Sequence, residues 1–64
     1  MDWKDWKGKK IFVQLKSGSV YSGLVEEVDD KSPPLVWFTI TDKFGETVTF
    51  IHSEIVKIKE EKGE

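Results

Sequence analysis

Few side chains in this 64-residue chain could do chemistry, and their spacing narrows what that chemistry would be. The single histidine, His52, stands in a three-residue link, His52-Ser53-Glu54, between two hydrophobic runs. An imidazole there can stack on a nucleobase and donate a hydrogen bond, as bases in single strands require. The Ser53 hydroxyl could bond a phosphate or a base. The competing roles are structural: a turn histidine with no ligand, and a serine bonded to its own backbone. Asp29 and Asp30 could offer paired carboxylates to a hard cation, but such sites recruit several further oxygens and none follows before Pro33. Asp29 is better suited to bonding nearby loop amides and fixing a turn. Glu26 and Glu27 fall on opposite faces of an extended segment, so they cannot act as a paired acid and base. The absence of cysteine and of a second histidine removes thiol nucleophiles, sulfur-ligated metals and an imidazole zinc pair. The expectation is a non-enzymatic domain with no cofactor and no metal.

Aromatic and charged residues widen the choice. Trp3 and Trp6, three apart, share one face of a helical turn and are expected to cap the core. Trp37, Tyr21 and Phe12 could form an exposed cluster, yet nothing in their spacing specifies a ligand. Lys4, Lys7, Lys9 and Lys10 make one local basic cluster, interleaved with Asp2 and Asp5 and therefore read as a solvated face. Every basic residue is lysine and the net charge is −2. Without arginine there is no bidentate fork for guanine edges, so duplex DNA is not an expected partner. No apolar run approaches the roughly 18 residues that span a bilayer, and no signal-peptide pattern opens the chain, so no membrane partner and a cytoplasmic location are expected. Abundant lysine and glutamate with no asparagine or cysteine match the usage of heat-adapted, thermophile proteins.

The elements that must position these residues are mostly strands. Residues 1–8 read as one helical turn capped by Asp2 and stopped by Gly8. Residues 9–16 alternate, with Ile11, Val13 and Leu15 on one face. Ser17-Gly18 is a tight turn, and 19–28 form a longer strand whose Gly23 is expected to mark a bulge or bend serving two sheets. Residues 29–34 read as a polar loop closed by Pro33-Pro34. Residues 35–41 carry bulk on both faces, which suggests a central strand covered on both sides. Asp42-Lys43-Phe44-Gly45 is a hairpin connection. Residues 46–51 and 55–59 are two last strands, and 60–64 a charged tail that frays. The fold class expected is all-β: a five-stranded, strongly bent antiparallel SH3-like barrel with a short N-terminal helical turn, one domain over 1–64. An open two-layer sandwich is the alternative. The crowding of Val48, Phe50, Ile51, Val56 and Ile58 on the two short final strands marks edges that invite pairing between chains.

Val13, Leu15, Gly18, Gly23 and Asp29 together resemble, in register and without a gap, the first signature of the Sm-like (LSm) family, of archaeal type. Phe50-Ile51-His52-Ser53-Glu54-Ile55-Val56 resembles its second signature, with His52-Ser53 where the family has arginine-glycine. The resemblance covers residues 9–59. It implies a bent five-stranded Sm-like barrel, and a homo-oligomeric ring of six or seven copies built by pairing 47–51 of one chain with 55–59 of the next. It further implies a ribonucleoprotein role, with uridine-rich single-stranded RNA held near Asp29, Lys31, His52 and Ser53. Pro33 stands where the family has an asparagine. The alternative function is an oligomeric scaffold or protein adaptor whose RNA site is lost.

Overall fold

The computed structural model describes residues 3–61. Five antiparallel strands form one sheet in the order β4-β3-β2-β1-β5. They are β1 (Lys10–Leu15), β2 (Val20–Ser32), β3 (Leu35–Asp42), β4 (Thr47–Ile51) and β5 (Ile55–Glu60). Two short 3-10 turns, Trp3–Trp6 and His52–Glu54, complete the described residues. Asp2, expected as a cap, and the tail residues 62–64 lie outside them.

The alternation of β1 holds: Ile11, Val13 and Leu15 are buried while their neighbours are not. The second strand is longer than its hydrophobic pattern suggests. It continues through Asp29 and Lys31 to Ser32, because Asp29 pairs with Trp37 and Ser32 with Leu35. The expected polar loop therefore shrinks to a turn at Pro33-Pro34, which are joined by a cis peptide. Polar residues at the end of a sheet have solvent on both faces, so hydropathy does not mark them as strand.

β2 belongs to both halves of the sheet. Val20 to Leu24 pair with β1, whereas Gly23 to Ser32 pair with β3, so only Gly23 and Leu24 have strands on both sides. The register break is not at Gly23 but at Glu26, between Val25 and Glu27. That extra residue lets Val25 and Val28, three apart, both turn inward, where each is buried. Gly23 answers a different need. A Cβ there would lie against the Thr41 carbonyl oxygen, 2.9 Å from its carbon, so only glycine allows this approach of β3. The β2–β3 pairing is irregular again between Asp29 and Ser32. A break in the β1–β5 pairing gives β5 an extra residue, Val56, between Leu15↔Ile55 and Gln14↔Lys57, which turns Ile55 and Ile58 to the core.

One buried cluster gathers side chains from both halves: Ile11, Val13, Leu15, Val25, Val28, Val36, Phe38, Ile40 and Phe50. A flat single sheet cannot hide Phe38 and Ile40 completely, yet both are 0% exposed. The two halves must therefore fold toward each other about β2. Closure stops short of a hydrogen-bonded barrel, since β4 and β5 lie at opposite ends of the sheet order. β3 is interior in that order but covered on one face alone: Val36, Phe38 and Ile40 are buried, Leu35 and Trp37 exposed. With a single layer there is no second core to receive them. Trp3 meets Phe38 edge-on at 5.6 Å, and Trp6 packs against the same core, so the N-terminal turn closes one end of it. No helix among the described residues is long and apolar enough to cross a membrane.

Gly23→Ala should lower stability by about 2 kcal/mol, the scale of overpacking against backbone that cannot retreat. A chemical-denaturation midpoint equal to that of the unchanged chain would show that the approach of Thr41 is not so tight.

Candidate functional site

The β3–β4 hairpin decides where His52 goes. Asp42 Oδ1 accepts hydrogen bonds from the Phe44 and Glu46 amides, both at 2.9 Å, and Gly45 takes the left-handed conformation (φ +83°) that ends the turn. From that turn the register runs Thr41↔Thr47, Ile40↔Val48, Thr39↔Thr49, Phe38↔Phe50 and Trp37↔Ile51. Carried one step further, it sets His52 opposite Val36. There the chain leaves the ladder for the 3-10 turn, and a side chain replaces the next backbone acceptor: the Val36 N–H donates to His52 Nδ1 at 3.2 Å. An accepting Nδ1 requires the tautomer with hydrogen on Nε2. The imidazole also lies 5.4 Å from the Trp3 ring, tilted by 55°. His52 is thus half-buried and bound into the fold on two sides, neither a free turn residue nor an open stacking surface. Ser53, next to it, is exposed.

The other predicted residues reach the same end of the sheet from β2. Asp29, Trp37 and Ile51 form one row across β2, β3 and β4, so Asp29 stands two strand spacings, about 10 Å, from Ile51. The Lys31 amide donates to Asp29 Oδ1 at 3.0 Å, the turn-fixing bond that an aspartate at this place can make. Lys31 itself is exposed and belongs to the irregular stretch opposite Val36. One end of the sheet therefore collects Asp29, Lys31, His52 and Ser53, with the amide of Val36 at its middle. Two of the four, Asp29 and His52, already serve protein amides. Asp30 faces Lys4 at 3.5 Å instead of joining Asp29 around a cation. Among the described residues no group of three or more histidine, aspartate or glutamate side chains could hold a metal ion.

The five residues proposed for an interface have different environments. Phe50 is 5% exposed and stacks on Phe38 at 5.6 Å, so it belongs to its own chain's core. Val48 and Ile58 are partly buried against that core, and Ile51 is half-buried. Val56 alone stands clear, 59% exposed. The aromatic cluster of Trp37, Tyr21 and Phe12 is not formed: Tyr21, paired with Val13, packs on the core, Phe12 faces outward on β1, and Trp37 lies toward the far end of β3. A groove of about 680 Å³ opens elsewhere, between Val20, Leu24, Thr41 and Phe44, and contains none of the predicted site residues.

Sequence reasoning missed Trp3 and the Val36 amide as partners of His52. The second was available from the hairpin, because the turn at 42–45 sets the register that brings the two together. His52→Ala leaves the Val36 amide without its acceptor and should cost about 1–2 kcal/mol. Amide exchange at Val36 should quicken more than at Phe38, and equal exchange in both proteins would refute the bond. Compared with family models, with curated proteins and with solved structures, the chain matches none.

Proposed function

We propose that this chain is an Sm-like module that assembles with copies of itself into a ring and holds single-stranded RNA weakly where the β2–β3 turn and the β4–β5 link meet. The observation that carries the reading is the separation of β4 and β5. They follow one another in the chain, yet occupy opposite edges of the sheet. Each edge presents a row of backbone donors and acceptors to whatever strand can pair with it. β5 of a second copy added to β4 would extend the sheet antiparallel. Such a head-to-tail contact uses different surfaces on the two partners, so it closes into a ring when the rotation allows. Six or seven copies is the size the Sm-like resemblance implies.

Each residue of the first signature also has a task consistent with that barrel class. Val13 and Leu15 are buried, Gly18 turns the chain at φ +94°, Gly23 admits Thr41, and Asp29 fixes the Lys31 amide. A ring would repeat Lys31, Ser53 and the outer edge of His52 around one opening, and weak contacts gain avidity when one strand spans several copies. The scaffold reading rests on a specific observation too: His52 Nδ1 and Asp29 Oδ1 are taken by protein amides and are not available to a base or ribose.

Light scattering should give a mass several times the 7.4 kDa of one chain. Val56→Lys should reduce it while leaving the fold intact, because Val56 is exposed; Ile58→Lys is a poorer test, since Ile58 also packs on the core. A single-chain mass at micromolar concentration would remove the ring. Labelled oligouridine should bind in a salt-dependent way, and the Lys31→Glu, Ser53→Ala variant should bind more weakly. No binding at low salt would leave the scaffold.

A further inference from the structure

We infer that the outward face of β1 and β5 is a contact surface for the phosphate backbone of single-stranded nucleic acid, carried by Lys10, Lys57 and Lys59 and separate from the end that holds His52. β1 turns Ile11, Val13 and Leu15 inward, so Lys10, Phe12 and Gln14 face the other way. On β5, Ile55 and Ile58 pack on the core and leave Lys57 and Lys59 exposed on that same outward face. The register Phe12↔Lys59 and Gln14↔Lys57 sets the two strands side by side. Three cations thus surround one aromatic ring and one amide, although Lys10 is remote in the chain from Lys57 and Lys59.

Unlike Lys4, Lys7 and Lys9, and like the scattered Lys16, Lys31 and Lys43, these three make no ion pair among the described residues. They alone of those unpaired lysines share one pair of strands. Lys4, Lys7 and Lys9 each face an acidic side chain at 3.5 Å: Asp30, Glu27 and Glu60. Among the described residues Lys10, Lys57 and Lys59 enter no ion pair. β1 contains no acidic residue, and the acidic residues of β2, Glu26, Glu27, Asp29 and Asp30, lie on its far half. One carboxylate lies on this face: that of Glu61, whose amide donates to the Lys10 carbonyl at 2.8 Å and whose side chain accepts a 2.6 Å hydrogen bond from Ser22 Oγ, leaving three lysines against one glutamate. A net charge of −2 therefore conceals a local cationic face.

Lys59 Nζ lies 5.8 Å from the centroid of Phe12, which keeps that ammonium on the surface instead of swinging free. Lys57 and Lys59 are two residues apart on a strand, about 6.6 Å, a repeat suited to a chain of anions. The strip is only two strands wide, which fits one nucleic-acid strand. Pairing of a neighbouring copy at the β5 edge would use backbone groups in the plane of the sheet and leave this face open. With point-charge lysines and no arginine fork, the contact has no means of choosing a base.

Fluorescence anisotropy of labelled oligouridine and oligoadenosine at several salt concentrations tests the inference. The Lys57→Glu, Lys59→Glu variant should bind both oligomers about tenfold more weakly at low salt. Its log–log salt dependence should flatten by about 1.4, two phosphate contacts at about 0.7 each. Lys57→Gln, Lys59→Gln should show the same flattening with a smaller loss, and circular dichroism should not change. If Lys31→Glu, Ser53→Ala weakens binding and the β5 variants do not, this face is not used and the ring-face site stands alone. If the β5 variants weaken binding and the other does not, the inference holds and the ring-face site falls. Competition by polyglutamate as effective as by RNA would also overturn it, since the face would then take any polyanion.

Discussion

A single five-stranded sheet has one apolar face and no second layer to cover it, so it can bury that face only by folding onto itself. Everything else in this small protein depends on that constraint. β2 meets it by being long enough to pair with β1 along its first half and with β3 along its second. The overlap is confined to Gly23 and Leu24, and there the backbones come so close that a side chain on residue 23 would strike Thr41. The result is a core in which Ile11 and Val13 of one half and Phe38 and Ile40 of the other are all fully buried.

Folding the sheet about one shared strand has two consequences. Inward positions on a bent strand no longer follow strict alternation, and the extra residues Glu26 in β2 and Val56 in β5 restore the match between sequence and core, while a further irregularity in β2 falls between Asp29 and Ser32. Those extra residues, Glu26 and Val56, are exposed for the same reason that Val25, Val28, Ile55 and Ile58 face inward. The second consequence concerns the edges. Because β2 is central, the chain's last two strands lie at the two margins of the sheet rather than beside each other. A small domain that keeps both edges open is open to pairing from outside, and this is the physical basis of the proposed ring.

At the end of the sheet, the same residues are asked to hold the fold and to meet a ligand. His52 supplies the acceptor that the ladder lacks once β4 has ended, and its ring is flanked by Trp3. Asp29 holds the amide of Lys31. Lys31 and Ser53, whose side chains stay exposed, are left as the groups able to contact anything else. The location was legible in the sequence through the short link and the acidic position before the prolines. The division of labour was not, because it follows from which backbone amide each side chain meets.

Local patterning determined the strands: alternation marked Ile11, Val13 and Leu15, the Asp42–Gly45 segment marked a hairpin, and two tryptophans three apart marked the turn that closes the core. Such features depend on neighbours within a few residues, and chain order contains them. Pairing between distant segments decided the rest. In chain order Lys4, Lys7, Lys9 and Lys10 form the basic cluster, but folding brings three of them to carboxylates on β2 and β5. The cluster that remains, Lys10 with Lys57 and Lys59, arises only from the alignment of β1 with β5. Charge separation of that kind is a property of register between remote strands, and periodicity along a chain carries no trace of it.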